Sequence, residues 1–167
     1  INTQTSLGMC YLTQQKFQEG YDLYFKRDKL RYKDFAKNLW QPNFALDKEI
    51  NIICDQGFGD HIMFSRYLPY LGERKINVGT REGLKSLFEA NFSNINFVKY
   101  EELNPDVQTI FIADLPYVLG MDFSEIPSSQ GYLKSETAKI ECDKLKVGFC
   151  WEAGSAAIRT MINRTIN

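Results

Sequence analysis

The stretch Glu49-Ile50-Asn51-Ile52-Ile53-Cys54, followed by Asp55-Gln56-Gly57-Phe58-Gly59-Asp60-His61, decides the fold of this chain. The first run is rich in β-branched residues and predicts a strand. A turn that contains glycine follows, and from about Asp60 apolar residues recur on one helix face, at Phe64, Tyr67, Leu68 and Leu71. The stretch therefore predicts a strand, a turn and a helix, with a kink at Pro69 because proline removes a backbone hydrogen bond.

The alternation of strand and helix continues along the chain. Further strands are predicted at Lys75 to Gly79, Ile95 to Val98, Thr109 to Ile112 and Leu145 to Trp151, and further helices at Arg81 to Ala90 and Thr137 to Asp143. Such alternation builds βαβ units and a mostly parallel sheet. We therefore predict a three-layer, Rossmann-like α/β domain over residues 41–167, with Ile50 to Cys54 as its central strand and Gly120 to Glu136 as a surface loop.

Residues 1–40 follow a different pattern, in which apolar residues recur at helical spacing in two short segments. The pattern predicts a helical hairpin over residues 5–27, and the charged stretch Lys26 to Lys37 predicts a connector or a solvated helix end. Any amphipathic hairpin fits these observations. The hairpin also resembles a tetratricopeptide repeat, through Leu7, Gly8, Tyr11, Gly20 and Tyr24. Arg27 and Tyr32 depart from that repeat. Because one repeat cannot bury its apolar face alone, it is expected to pack on the following domain, further repeats or a protein partner.

Composition excludes several classes of protein. The chain has 167 residues, a formal net charge of −1, 25% charged and 44% hydrophobic residues, which is typical of one folded domain. No basic excess is available for a nucleic-acid partner, and no apolar run approaches the ~20 residues of a transmembrane segment. The four cysteines have no C-x-x-C spacing and there is one histidine, so no metal is predicted and the reducing cytoplasm fits best. The chain opens at Ile1, so we expect a piece of a longer protein.

The turn from Asp55 to His61 is the first candidate binding site. Ligands of parallel α/β sheets bind beyond the carboxyl ends of the strands. Gly57 and Gly59 allow positive φ and a close backbone approach, and amides at a helix start face an anion or a sugar hydroxyl. Ile62 stands where a dinucleotide fingerprint has its third glycine, and no Gly-Lys-Ser/Thr of a P-loop is present. A tight turn with Asp60 as helix N-cap explains the same residues.

The longer string from Gly57 to Pro69 resembles the Gly-x-Gly-Asp…Arg-Tyr-Leu-Pro segment of bacterial glycosyltransferases fused behind tetratricopeptide repeats, relatives of the heptosyltransferase family (family nine). The resemblance continues at Lys146 to Gly154 and at Asn163 to Ile166. It implies a GT-B enzyme, in which one Rossmann-like domain holds the sugar acceptor and a second holds a nucleotide-sugar donor, with no other cofactor. The donor-binding half is absent from this sequence, so the 167-residue chain alone is expected not to transfer sugar.

The resemblance also assigns roles to individual residues. Asp60 falls on the family's catalytic aspartate, a general base for the acceptor hydroxyl, and a structural cap is the alternative role. His61 is either a proton carrier or an exposed residue at the helix start. The candidate substrate-binding residues are Gly57, Phe58, Gly59, Trp151, Gly154, Arg159 and Arg164.

Two of these assignments have specific alternatives. Trp151 is a stacking surface for a sugar or a buried aromatic beside the turn at Gly154. Arg159 and Arg164 are candidates for donor phosphates, but Ser155 to Arg159 replace the family's polar loop. The rival function is that of an interaction protein, with a degenerate transferase-like domain that serves as a docking surface.

Overall fold

The computed structural model describes residues 3–121, 126–127, 131–135, 143–145 and 147–148. The chain divides into two compact units, residues 1–134 and residues 135–167. In the second unit, Leu145, Val147 and Gly148 have no strand pairing, and the side chains of Leu145 and Val147 are exposed. The strand predicted from Leu145 is therefore not found at these positions, and its remaining residues lie outside the described ones.

A four-stranded parallel sheet forms the centre of the first unit. Its strands are β1 (Glu49–Ile53), β2 (Lys75–Gly79), β3 (Ile95–Val98) and β4 (Thr109–Phe111). The order is β3-β2-β1-β4, so β1 is an interior strand that pairs with β2 on one side and β4 on the other. The predicted parallel α/β sheet and the interior position of the first strand are confirmed.

Both faces of the sheet are covered, as the apolar run of β1 requires. Ile50 and Ile52 point into the larger core, which lies on one face with Val78 and Phe88. Ile53 points to the other face, where it packs in a second cluster with Phe35, Leu103 and Phe111. Because side chains alternate along a strand, one short strand contributes to both layers.

The helices on the sheet follow the strands. They are α3 (Phe58–Ser65), α4 (Glu82–Glu89) and α5 (Leu115–Val118), with short 3₁₀ segments at Leu68–Leu71, Tyr100–Glu102 and Ile112–Asp114. The kink predicted at Pro69 is wrong, because α3 ends at Ser65 and Pro69 lies in a separate 3₁₀ turn. Proline cannot donate to the carbonyl four residues earlier, which is that of Ser65, and its ring clashes with that carbonyl.

A helical hairpin precedes the sheet, as predicted. Its helices, α1 (Thr3–Thr13) and α2 (Phe17–Tyr24), approach closely at Gly8 and Gly20. A Cβ atom at Gly8 would lie 2.9 Å from the carbonyl oxygen of Gly20, and one at Gly20 would lie 2.7 Å from Leu12 Cδ2. The two glycines are therefore needed for the contact between the helices. None of the described helices is long and apolar enough to cross a membrane.

The stretch from Lys26 to Lys37 connects the hairpin to the sheet, as predicted, but it is only partly solvated. A 3₁₀ helix at Leu30–Asn38 places Phe35 in the second core cluster. Arg27 is buried, and the Lys29 side chain is 13% exposed. Arg27 and Lys29 are the exceptions to the expected solvation, because carboxylates that lie far away in the sequence neutralise them.

Candidate functional site

The carboxyl ends of β1 and β4 meet where the strand order reverses. β2 lies on one side of β1 and β4 on the other, so the chain leaves these two neighbouring strands in different directions. In open parallel folds such a reversal is where a ligand crevice forms, and we call this place between the two strand ends the crevice. Asp55 follows the end of β1, and Asp114 follows the end of β4. This place in the sheet is the general ligand site of open parallel folds.

Four buried charges connect the hairpin to this crevice, and we call them the clasp: Arg27, Lys29, Asp55 and Asp114. Arg27 Nη2 lies 3.2 Å from Asp55 Oδ2, and Arg27 Nη1 donates to Asp114 Oδ1. Lys29 Nζ lies 2.8 Å from Asp114 Oδ2. The four side chains are between 1% and 13% exposed. Because burial of a lone charge is very unfavourable, these groups stabilise the fold only as a set.

Burial sets the direction of the pKa shift at two clasp residues, Asp55 and Lys29. Burial raises the pKa of Asp55, and the nearby Arg27 guanidinium opposes that shift. Burial also lowers the pKa of Lys29, although the Asp114 carboxylate acts in the opposite direction. Asp55 Oδ1 is buried without a hydrogen-bond partner among the described residues. The charges of the clasp are thus paired, but one carboxylate oxygen of Asp55 is left without a hydrogen bond among the described residues.

Asp60 lies beside the crevice, in the first turn of α3. Gly57 is the N-cap residue and Asp60 is at position N3, where its Oδ2 accepts a hydrogen bond of 3.1 Å from the Gly57 amide. The expectation that Asp60 is the N-cap is wrong, because the helix begins at Phe58, two residues earlier than predicted. Asp60 Oδ1 has no hydrogen-bond partner within the described part of the chain. The carboxylate therefore stabilises the helix start with one oxygen and offers the other.

The two glycines of the turn are not there for positive φ. Gly57 has φ −74° and ψ 170°, and Gly59 is helical. A Cβ atom at Gly59 would meet nothing within 4 Å, and one at Gly57 only Asp60 Oδ2 at 3.4 Å. Neither the backbone conformation nor packing among the described residues requires glycine at these positions. What their small size does provide is open surface beside Asp60.

Phe58 lies at the rim of this open surface. Its ring is 48% exposed, and the Arg81 guanidinium lies 5.3 Å from the ring centroid. The predicted substrate-binding residues Gly57, Phe58 and Gly59 thus lie together with Asp60, beyond the carboxyl end of β1. Trp151, Gly154, Arg159 and Arg164 lie outside the described residues.

His61 is fully buried and is not the exposed residue that we considered from the sequence. Neither of its ring nitrogens has a hydrogen-bond partner among the described residues. Burial lowers its pKa, while the nearby backbone of Gln56 and Cys54 acts in the opposite direction. In this conformation the ring cannot reach a ligand on the surface, so Asp60 is the better candidate of the two for proton transfer.

The sequence analysis missed the clasp. Asp55 and Asp114 each follow the end of a predicted strand, and Arg27 departs from the repeat that the hairpin resembles. Those two signals were in the sequence. Their connection was not, because Arg27 is 28 residues from Asp55 and 87 residues from Asp114.

A large cavity lies elsewhere in the first unit. Its volume is about 890 Å³, and it opens between α2, residues 40–45 and α5. Tyr21, Trp40, Phe44 and Tyr117 contribute aromatic rings, and its described lining includes no carboxylate, imidazole or basic side chain. The cavity could accommodate a neutral ligand, but its described lining lacks the carboxylate that Asp60 offers at the sheet edge.

Comparison with known proteins adds no assignment: no family model, no curated protein and no solved structure matches this chain. Within the described ranges, no group of three or more histidine, cysteine, aspartate or glutamate side chains could hold a metal ion. The candidate function therefore rests on the residues at the sheet edge and on the motifs of the sequence.

Proposed function

We propose that this chain is the acceptor-binding part of a GT-B glycosyltransferase, which moves a sugar from a nucleotide-activated donor to a sugar acceptor. The observation that carries the proposal is the geometry of the turn after β1. It combines open surface at Gly59 with a carboxylate, Asp60, that has one oxygen without a described partner. This turn stands at the carboxyl end of an interior parallel strand, where ligands of such sheets bind.

The chemistry proposed for Asp60 is that of a general base. As an acceptor hydroxyl oxygen forms its bond to the anomeric carbon of the donor, the bond from that carbon to the nucleotide phosphate breaks. The proton of the hydroxyl passes to Asp60 Oδ1, and the nucleotide leaves with the bonding electron pair. Asp60 Oδ2 remains on the Gly57 amide, which fixes the carboxylate during the transfer.

We further propose that the hairpin is a tetratricopeptide-like repeat in front of the transferase domain. Close packing through Gly8 and Gly20 is what the small residues of that repeat provide. Leu7 and Met9 on α1 are 45% and 54% exposed, which suits a helix that packs against a further repeat or a protein partner.

A second candidate function is favoured by the aromatic cavity, which lacks acidic and basic side chains among its described lining. In that case the chain is a non-catalytic interaction protein that binds a neutral partner there. Amide chemical shifts of the ¹⁵N-labelled chain distinguish the two functions. Glucose, galactose or N-acetylglucosamine at millimolar concentration is expected to shift the amides of Gln56 to His61. Shifts confined to Trp40 to Ala45, or no shifts with any of these sugars, contradict the transferase proposal.

A further inference from the structure

A second, smaller cavity lies at the other end of α3 from Asp60. Because β1 and β2 are parallel, the chain returns after α3 to the amino end of β2, and it returns after α4 to the amino end of β3 in the same way. The cavity opens between these two returning segments and has a volume of about 310 Å³. We call it the Arg66 pocket, and its described lining is Arg66, Pro69, Tyr70, Asn91, Phe92 and Tyr132. It is therefore separate from the open surface at Gly59.

The lining of the Arg66 pocket is held in place by contacts within the protein. Phe92 packs against the larger core cluster. The Tyr132 hydroxyl donates to the Ile62 carbonyl. Asn91 binds both backbone groups of Lys134: its Nδ2 donates to the carbonyl at 2.8 Å, and its Oδ1 accepts from the amide at 2.7 Å. The pocket is thus formed before a ligand enters, which lowers the cost of ordering side chains on binding.

Arg66 brings a positive charge into this pocket. Its Nε donates a hydrogen bond of 2.9 Å to the Met63 carbonyl, and its guanidinium lies 4.8 Å from the centroid of the Tyr132 ring. Its Nη1 lies 3.5 Å from the Pro127 carbonyl oxygen, beyond the usual length of a hydrogen bond. Among the described residues, no carboxylate pairs with Arg66. The protein therefore orients the guanidinium but leaves its charge uncompensated within the described part of the chain.

These features set Arg66 apart from the other arginines whose side chains the structure describes. Arg27 is neutralised in the clasp. Arg74 donates its Nε and Nη1 to two backbone carbonyls, and Arg81 is exposed beside Phe58. Neither Arg74 nor Arg81 lines the Arg66 pocket or the large aromatic cavity, whose described lining has no charged side chain. Among these four arginines, Arg66 is the one that combines an uncompensated charge with a concave site.

The chemistry of the lining defines the ligand that fits the Arg66 pocket. A guanidinium binds the two oxygens of a carboxylate or phosphate through parallel N–H groups. The rings of Tyr70, Phe92 and Tyr132 offer apolar faces and edges for a planar ring. The described lining contains no acidic side chain that would repel an anion.

We propose that the Arg66 pocket binds a small planar ring compound that carries a carboxylate or a phosphate group. Arg66 binds the oxyanion, and the aromatic side chains of the lining contact the ring. This inference is independent of the proposed function, because the pocket and Asp60 lie at opposite ends of α3.

Amide shifts of the ¹⁵N-labelled whole chain test this proposal with benzoate, phenyl phosphate, benzamide and inorganic phosphate as probes. Benzamide has the ring without the charge, and inorganic phosphate has the charge without the ring. Benzoate or phenyl phosphate should shift the amides of Tyr70, Asn91 and Phe92 in a saturable manner. The dissociation constant should be at least about 10-fold lower than that of benzamide or inorganic phosphate. The tighter of the two ring compounds identifies the oxyanion that the pocket prefers.

The matched variants are Arg66→Gln and Arg74→Gln, which remove the charge and keep a polar side chain. Arg74 is likewise half-buried and lies just before β2, but outside the pocket. Arg66→Gln should weaken binding of the tighter probe roughly 10-fold, while Arg74→Gln leaves the dissociation constant unchanged. Circular dichroism checks that both variants are folded. If Arg66→Gln is unfolded, the comparison of the four probes on the wild-type chain decides alone.

Three results would overturn the proposal. The first is that neither benzoate nor phenyl phosphate shifts the amides of the pocket. The second is that benzamide or inorganic phosphate binds as tightly as the charged ring compounds, and the third is that folded Arg66→Gln binds as tightly as the wild type. Shifts at Gln56 to His61 with monosaccharides test the proposed function separately, so either proposal can fail without the other.

Discussion

Removal of the Arg27 side chain tests how strongly the folded state depends on complete charge pairing in the clasp. In Arg27→Ala, Asp55 has no charged partner in the clasp, and Asp114 keeps only Lys29. Both carboxylates are less than 10% exposed, so solvent does not compensate for the loss. Loss of one partner of a buried ion pair costs about 3–5 kcal/mol, a large part of the ~5–15 kcal/mol by which domains are stable.

Urea unfolding followed by far-ultraviolet circular dichroism measures this loss. With a slope of about 2 kcal/mol per molar urea, a loss of about 4 kcal/mol lowers the midpoint by about 2 M. The control is Lys75→Ala, which breaks the pair with Glu49. That pair is 2.9 Å long, but its side chains are 68% and 39% exposed, so the loss should stay below about 1 kcal/mol.

A double variant separates lost charge pairing from lost packing. Asp55→Asn in the Arg27→Ala background removes the carboxylate that has lost its charged partner and should recover part of the stability. A loss in Arg27→Ala no larger than that in Lys75→Ala would refute the reasoning, because it would mean that the buried carboxylates do not need the guanidinium.

Three further predictions concern single residues. Gly59→Ala should raise the free energy of unfolding by up to about 1 kcal/mol, since alanine favours the helix and its Cβ meets no atom within 4 Å. If the open surface at Gly59 receives the acceptor, the same variant should bind sugar more weakly. Gly8→Ala should lower the melting temperature by several degrees. The alanine Cβ would lie 2.9 Å from two backbone atoms of α2, the Gly20 carbonyl oxygen and the Tyr24 nitrogen. An unchanged melting temperature would contradict the close contact between the helices. Burial lowers the pKa of His61 in the folded state, so the unfolded chain binds the proton more readily and the free energy of unfolding should fall as the pH drops below about 6.5. His61→Leu should show a smaller fall in urea midpoint than the wild type between about pH 7.5 and pH 5.5. An identical fall in both proteins would show that His61 does not contribute.

Local patterns were sufficient to predict the four strands of the described sheet. The β-branched run of β1 is buried on both faces, which is why it reads as a continuous apolar strand. The helix from Glu82 to Glu89 was predicted to within one residue at each end, because its apolar residues recur on one face. In these elements the local preference of the sequence and the packing of the fold agree.

The clasp and the state of His61 could not be predicted in this way. A charged residue such as Arg27 looks solvated in a sequence window, and only the fold brings it to Asp55 and Asp114. The burial of His61 follows from helical spacing, because His61 lies one turn before the buried Ser65 and shares its face of α3. The sequence analysis considered His61 only as a residue of the helix start and did not place it on that face.

The transfer rate of an Asp60→Asn variant tests the central claim most directly. The assay uses an enzyme that carries this chain together with a donor-binding domain, and it follows nucleotide release from a panel of nucleotide sugars with a monosaccharide acceptor. Asparagine can still accept the Gly57 amide hydrogen bond but cannot take up the proton. The account predicts a rate reduced about 10²–10⁴-fold with the melting temperature nearly unchanged. A wild-type rate in Asp60→Asn would contradict it.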